Sequence, residues 1–530
     1  MIRVSQCICE LDHEEKDLEG VIRKKLRTNA SFTYTIYKKS LDARFHTLRY
    51  SYVVDVNIAD ERRYLKMKDV SLTPKLSYDM PSYGDREMKY PPVVVGFGPA
   101  GMFAALLLAQ AGFCPIVFER GECVEKRMES VERFWKSRIL NEKSNVQYGE
   151  GGAGTFSDGK LTSRSKDLRS HKVLEELVNF GADEEILIQA YPHVGSDQLV
   201  HIVKNIRQEI IRLGGEIHFE ERICGIEQEG GRLKAVISDL NRYECETAIF
   251  AIGHSSFDTV KMLHEQGLMM EQKPFAVGVR IEHLQSMINQ VQYKEFASFK
   301  SLPAAEYRLT CNCDQRGVYT FCMCPGGVVV ASTSHAGRVV TNGMSYHARD
   351  LKNANSAVLV QVRTTDLDDD LFAGFEFQKQ LEKKAFVMGG SDYRAPAQLV
   401  KDYLENRPSQ KAGKVEPTYS CGVKWSNLNE LFPSFINRAL ATGLIELDKK
   451  LAGFASDDAV LTGVETRTSS PIRIHRDEKL EASIAGIYPC GEGGGYAGGI
   501  VSSAIDGLRC AEMIISKYRK TEVSDEKVFK

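Results

Sequence analysis

No apolar run in this 530-residue chain reaches the length of a membrane span, for which about 20 consecutive residues are needed. A charge of one sign is missing too. Lys and Arg number 69 against 71 Asp and Glu, a net −2, so bulk attraction to nucleic acid is not implied. The opening residues, MIRVSQCICELDHEE, lack the basic-then-apolar order of a signal peptide, and export is not expected. The twelve histidines form no H-E-x-x-H or H-x-H arrangement. No G-x-S-x-G elbow and no Walker A sequence occurs. The thirteen cysteines, an odd number, fit a reducing compartment with thiols kept free. Together these absences predict a cytoplasmic protein without a membrane partner. The length predicts two or three domains.

Glycine, by contrast, is concentrated. Val93-Val94-Val95 is a short buried-type strand, followed at once by Gly96, Gly98 and Gly101 in G-x-G-x-x-G spacing. Met102 to Ala111 then has a helical pattern that Gly112 ends. Pro115 to Phe118 reads as a second strand with Glu119 at its end, followed by Arg120. This is a complete β-α-β dinucleotide fingerprint. Gly96 permits the tight turn, Gly98 lets backbone approach a pyrophosphate, and Gly101 permits close helix–strand packing. Pro99 and Ala100 open the helix, whose free N–H groups face the phosphates. Glu119 is placed to accept hydrogen bonds from ribose hydroxyls.

Near the other end, CGEGGGYAGG (490–499) spends six of ten residues on glycine. A short strand, Ile484 to Tyr488, precedes it, and Ile500, Val501, Ala504, Ile505, Leu508, Ala511 and Ile515 follow at helical spacing. FAD is longer than its ADP half, and its ribityl chain needs a second segment returning to the same sheet. An acid such as Glu492 can hold ribityl hydroxyls. The helix that starts at Ile500 can face the flavin and favour negative charge on the reduced ring. The expected cofactor is therefore FAD. Gly491, Glu492, Tyr496, Ala497, Gly498, Gly499 and Ile500 are the expected contacts here.

The two motifs resemble the glutathione-reductase-type FAD fold. Four stretches, GEGGAGTFSDGKLTSR (149–164), AIFAIGHSSFD (248–258), FCMCPGG (321–327) and GEGGGYAGGIVSSAIDG (491–507), resemble a bacterial family of FAD-dependent dehydrogenases whose substrate is not established. The resemblance runs from about residue 1 to 516. It implies that the loop with Gly151, Gly152 and Gly154 packs on the cofactor, with Lys160 just beyond. It implies adenine contacts near Ile223 and puts Gly253 and His254 beside the cofactor. Enzymes of this fold usually carry Asp where Glu492 stands. The string Gly149, Gly151, Gly154 repeats G-x-G-x-x-G, but no strand precedes it and Thr155-Phe-Ser-Asp-Gly breaks any helix. It does not read as a second nucleotide site. NAD(P)H thus has no dedicated site, and an unidentified small organic molecule is the expected substrate.

The expected fold is α/β: a Rossmann-like three-layer FAD-binding domain (91–273 and 465–530), split by an inserted α+β substrate domain (274–464). A small N-terminal α+β module and linker (1–90) precede it. In the module, Ile2 to Leu11 reads as a strand, Asp12 with Glu15 as a helix start, and FTYTIYKKSLDAR and LRYSYVVDVNI as two strands. Residues 71–92 read as a linker crossing the surface. Residues 1–70 hold 14 Lys and Arg against 11 Asp and Glu, which suits a solvated strand face better than an RNA surface.

Cys311, Cys313, Cys322 and Cys324 have the look of a four-thiolate metal site. If Asp314 to Gly317 form a hairpin turn, Cys313 faces Val318 and Cys311 faces Thr320, and the four sulfurs cannot converge. Buried thiols are the first reading, a flavin-facing redox role for some of them the second and a metal site the last, and no metal ligand is assigned. His335 and His347 lie in polar loops as candidate acids or bases, but no catalytic residue is assigned. The reading is an FAD-dependent oxidoreductase. The alternatives are an FAD-containing RNA-modifying enzyme and a non-catalytic flavin-binding sensor. Salt-dependent RNA binding would mark the first, and flavin that no donor reduces the second.

Overall fold

The computed structural model describes residues 1–519 apart from 43–46, 76, 163–166 and 314. Of the segments singled out above, Ala43, Arg44, Leu76, Ser163, Arg164 and Asp314 fall outside the described residues.

The N-terminal residues form β1 (Ile2–Cys9), α1 (Glu15–Leu26), β2 (Phe32–Asp42), β3 (Arg49–Ile58) and β4 (Val70–Leu72). Their sheet has the order β2-β3-β1-β4. Alternation drives it: Tyr52, Val54, Val56 and Ile58 are buried in one small core with Leu18, Ile22 and Leu26 of α1. The helix starts later than the Asp12–Glu15 reading. Glu14 is its N-cap, and the Asp17 carboxylate accepts the Glu14 N–H at 2.9 Å. The segment read as a surface linker is in part a strap. Gly84 N–H reaches the Ile515 and Tyr518 carbonyls at 3.1 and 2.9 Å, and a Cβ there would meet Lys517 backbone at 2.3 Å. Tyr78 Oη donates to Glu512 at 2.9 Å.

The next elements are β5 (Val93–Val95), α2 (Pro99–Gln110), β6 (Ile116–Glu119), α3 (Val124–Ser137), α4 (Arg169–Asn179), α5 (Ser196–Arg212), β7 (Glu216–Phe219), β8 (Ile223–Glu229), β9 (Arg232–Ser238), β10 (Arg242–Glu244), β11 (Ala248–Phe250) and α6 (Phe257–Glu265). β5, β6, β7 and β11 join a late strand in one parallel sheet. α2 is apolar all round and buried from Ala100 to Ala109, as a helix enclosed on every side must be. α2, α4 and α5 pack on one face of the sheet, and the β10-β9-β8 sheet with α6 on the other.

β12 (Met270–Gln272) leads to β13 (Phe275–Leu284), α7 (Gln285–Tyr293), β14 (Thr310–Cys313), β15 (Arg316–Cys324), β16 (Val328–Ala331), β17 (Thr341–Met344), β18 (Asn353–Val362), α8 (Ala373–Gly389), β19 (Ala395–Leu399), α9 (Val400–Leu404), β20 (Val423–Trp425), α10 (Ser434–Asp448) and β21 (Val460–Glu465). Seven of these strands form a second sheet, β14-β15-β18-β13-β21-β19-β20, over the largest core. The chain then runs through β22 (Ile472–Ile474) to β23 (Ile487–Pro489), which pairs in parallel with β11, and ends its described course in α11 (Ile500–Lys517). The parallel sheet has the order β23-β11-β5-β6-β7.

The β14–β15 hairpin is tighter than the sequence reading. Cys311 pairs with Val318 and Cys313 with Arg316, a shift of two residues. Arg316 and Gly317 therefore belong to the ladder, where Arg316 is fixed by the Asp366 carboxylate at 2.5 and 2.6 Å.

Candidate active site

A cavity of about 1480 Å³ runs along the C-terminal ends of β5 and β11 and on to the second sheet. Its first wall is the β5–α2 turn. Gly96 has φ +96°, and a Cβ there would lie 2.4 Å from the Ala251 carbonyl oxygen. A Cβ on Gly101 would come within 1.9 Å of the Gly96 oxygen. α2 thus sits as close to the strand as backbone allows, with its N-terminal N–H groups aimed into the cavity mouth. Glu119 is buried at the end of β6. Its carboxylate accepts the N–H groups of Phe97 at 2.9 Å and of Gly121 and Gly149 at 3.0 Å each. Arg120 reaches Asp258 at 3.0 Å and Thr259 at 2.8 Å.

The second glycine triplet packs on the first. Gly151 N–H donates to Phe97 O at 2.8 Å, and a Cβ on Gly152 would meet Gly98 Cα at 3.0 Å. Sequence reasoning missed what holds this loop. Arg127, fully buried on α3, donates to the carbonyls of Asn145, Val146, Gly149 and Glu150 between 2.6 and 3.2 Å. Burial pulls its guanidinium down to about 10. An arginine in a charged helical stretch carries no sequence sign of such a role. Glu150 between the glycines is buried, and desolvation raises its carboxyl to about 7.

The third segment is the loop before α11. Glu492 accepts from His254 Nδ1 at 2.9 Å, which leaves His254 Nε2 buried without a partner. Gly499 caps α11 with φ +93°. Asp506 accepts the Gly491 N–H at 2.7 Å and is clamped by Arg476 at 2.7 Å.

The far wall comes from the second sheet. Thr320, Phe321, Cys322, Met323 and Cys324 of β15 line it with Asn342, Arg349, Glu465 and Arg467. Lys160 bridges Asp158 at 3.0 Å and Glu306 at 2.8 Å. Burial alone would lower its ammonium, but the two carboxylates outweigh this and raise it. Arg349 closes the same cluster, with Glu306 at 2.6 Å and a short contact to Asp158. His193 stands beside it. Its Nε2 meets the His347 carbonyl at 3.1 Å, and burial lowers the imidazole to about 4. Cys322 opens onto the cavity yet lies deep in the molecule, and desolvation pushes its thiol up to about 11 and that of Cys324 to about 12.

Of the residues predicted from sequence, Gly96, Gly98, Pro99, Ala100, Glu119, Arg120, Gly152, Gly154, Lys160, Ile223, Gly253, His254, Glu492, Gly498, Gly499 and Ile500 line this one cavity. Five predicted contacts lie off its wall. Gly101, Gly151 and Gly491 sit behind it as packing positions, where added carbons would strike Gly96, Thr155 and Ala100. Tyr496 turns away because its hydroxyl is bound to Ile474 O at 2.7 Å and its ring lies 3.6 Å from the Arg476 guanidinium. Ala497 follows it. Of the two histidines picked as acids or bases, His335 hydrogen-bonds Ser334 and His347 Nδ1 meets Val194 O at 2.9 Å. The cavity-lining His193 was overlooked, since a lone histidine in a loop gives no pattern.

The residues fit FAD. Glycine backbone borders the trough at both ends, two helix N-termini point at it, and the orphaned His254 Nε2 awaits a polar partner. A metal has weaker support. Among the described residues Cys490, Asp506 and Cys510 lie with ligand atoms within 4.8 Å of one another, but Asp506 is already held by Arg476 and Gly491.

Residues 274–468 match the family model "FAD-dependent protein, C-terminal domain-like". A protein of Clostridium beijerinckii described as uncharacterized is 48% identical over 527 residues, covering 98% of this chain and 99% of its own. Among solved structures, glycine oxidase from Geobacillus kaustophilus aligns over 82% of this chain and 97% of its own, at 10% identity and TM-score 0.35. A flavin-dependent brominase aligns over 80% of each chain at 10% identity and TM-score 0.37. At these TM-scores the two structures carry no reaction over to this chain.

Proposed function

This chain belongs to a family of FAD-dependent proteins, and from that premise we propose that it is an oxidoreductase acting on a small organic substrate. Bound FAD would supply hydride exchange with that substrate. One observation carries the reading. The cavity of about 1480 Å³ exceeds the usual range for one ligand, roughly 300–1,000 Å³, and it continues past Glu492 and His254 to a wall of side chains. That leaves room for a substrate beside the cofactor.

The α2 N-terminus and Gly98 suit the pyrophosphate, and Glu119 suits the ribose. Glu492, oriented by His254, suits the ribityl chain. Lys160, Asp158, Glu306 and Arg349 form a charge-balanced cluster that can orient a polar substrate without leaving a buried charge unpaired. With Nε2–H committed to the His347 carbonyl, His193 Nδ1 is left to accept a hydrogen bond. Its low pKa keeps that acceptor neutral at physiological pH.

The chain has one complete dinucleotide fingerprint, so the reductant should be the substrate and not a nicotinamide. Protein purified without added cofactor should be yellow and release FAD on denaturation. Anaerobic mixing with NADH or NADPH should bleach the flavin slowly and without saturation. Fast reduction saturating at micromolar nicotinamide would overturn the substrate assignment, and a colourless protein would overturn the cofactor.

A further inference from the structure

Cys322 and Cys324 are the only two cysteines that β15 presents to the cavity. Their strand is irregular just there. Phe321 pairs with Ala357 and Cys324 with Asn355, so two residues of β15 oppose one of β18. Cys322 takes φ +41°, and the bulge turns consecutive residues of the strand toward the same chamber. Cys324 Sγ folds back to within 3.3 Å of the Cys322 carbonyl oxygen. Beneath both lies Arg280. It is fully buried, paired with Glu465 at 2.8 and 3.1 Å, and donates to Cys322 O at 2.8 Å, with Cys324 Sγ 4.0 Å away. Cys322 and Cys324 line the same cavity as Lys160 and Glu492.

The other close thiols are arranged differently. Cys311 and Cys313 have sulfurs 3.6 Å apart, but neither lines the cavity, and Cys311 donates toward Gly443 O of α10. Cys490 and Cys510 are buried beside Asp506. Cys490 also lines the cavity but is fully buried, so among the described residues β15 alone offers one open thiol and one sheltered thiol, two residues apart, on the wall facing the cofactor trough. An open sulfur can meet an external partner while the sheltered one completes the bond, which is the division of labour in thiol–disulfide exchange.

We propose that Cys322 and Cys324 are a redox-active pair that passes electrons to FAD from a dithiol substrate, met through Cys322. The proposal rests on the oxidoreductase reading above and names its substrate class. One substrate thiol attacks Cys322 sulfur of the Cys322–Cys324 disulfide, forming a mixed disulfide and releasing Cys324 as a thiol. The second substrate thiol then attacks the substrate sulfur of that mixed disulfide, releasing Cys322 and closing the substrate disulfide. In sum, two substrate S–H bonds and one protein S–S bond become one substrate S–S bond and two protein S–H bonds. Oxidised FAD bound in the trough would take two electrons and two protons from the protein dithiol, which closes the Cys322–Cys324 bond again.

The test is an anaerobic dithionite titration of the oxidised holoenzyme, with FAD absorbance and free thiols read together. Wild type should take up about four electrons per FAD, two for each couple, because a disulfide is a two-electron centre. Cys322→Ser and Cys324→Ser should each take up about two, and Cys311→Ser should keep four. Peptide mapping of wild type should find residues 322 and 324 joined before the titration and free after it, which settles the matter even if a variant fails to fold. Wild type that takes up two electrons, or a Cys322→Ser protein that still takes up four, would overturn the dithiol and leave the FAD enzyme standing. A protein without FAD would overturn both.

Discussion

Gly96–Gly98–Gly101 and Gly149–Gly151–Gly154 have the same spacing. The first triplet follows a strand buried on both sides and runs into the twelve residues of α2. The second follows a run of turns and enters only a single 3-10 turn, Ala153–Phe156. The first therefore presents aligned N–H groups to a ligand, and the second has no helix to align any. What the second does instead is pack. Its glycines let the loop lie against Gly98 at backbone distance and form the opposite lip of the trough. A glycine spacing specifies close approach, and the elements on either side decide whether a ligand or another loop is what approaches.

The third glycine of each triplet separates the two jobs most sharply. Gly101→Ala places carbon 1.9 Å from a backbone oxygen that cannot move. It should cost about 3 kcal/mol or more in urea unfolding. At Gly154 the same change meets nothing nearer than Ile500 Cγ1 at 3.1 Å, a side chain able to yield, and should cost within about 1 kcal/mol. Equal losses at the two positions would erase the distinction.

The middle glycine of the first triplet separates binding from folding. A Cβ on Gly98 meets nothing nearer than Gly152 Cα at 3.6 Å. Gly98→Val should therefore leave a folded protein with a near-normal melting temperature that retains no FAD after gel filtration. Glu492→Ala acts on the segment that closes over both triplets. It should weaken FAD by about 1–3 kcal/mol, the cost of a charge-assisted hydrogen bond, with Glu492→Asp close to wild type. An unchanged dissociation constant would detach Glu492 from the cofactor.

Glu150 gives the second triplet a pH dependence. Its carboxyl is raised from 4.5 to about 7 by burial. Between those values the folded protein holds a proton that the unfolded chain has lost. The contribution to stability is full below pH 4.5 and is lost as pH rises through 7, an effect of up to about 3 kcal/mol. Glu150→Gln keeps an acceptor for the Val124 N–H and removes the titration. Urea midpoints at pH 5 and pH 8 should converge in the variant relative to wild type, and parallel trends would move the titration to another group.

Much of this was legible from residues in sequence. β5, α2 and β6 announce themselves because three signals coincide there: an apolar run, glycine spacing and helical periodicity. β3 is visible from strict alternation. The far wall of the cavity is not, because its residues come from β15, β17 and loops near 306, 349 and 467, and only the second sheet brings them together. Arg127 and the His254–Glu492 pair are hidden for the same reason: each is defined by a distant partner. The Cys311 register missed because turn length was inferred from Gly317, whereas the Arg316–Asp366 ion pair draws both residues into the ladder.

The parallel sheet is finished by a strand made long after its neighbour. β11 ends at Phe250 and β23 begins at Ile487. At synthesis rates of about 5–20 residues per second, β23 emerges roughly 10–50 s after the strand it must join. Until then the β11 edge is unpaired and Glu492, which follows β23, does not yet exist. During that interval the exposed edge is open to mispairing, and folding of the second sheet shortens the loop that must close. If Glu492 holds the cofactor as proposed, cofactor capture is completed late in biogenesis. The nascent chain would then offer the dinucleotide half of a site early and the ribityl half only after β23 has been made.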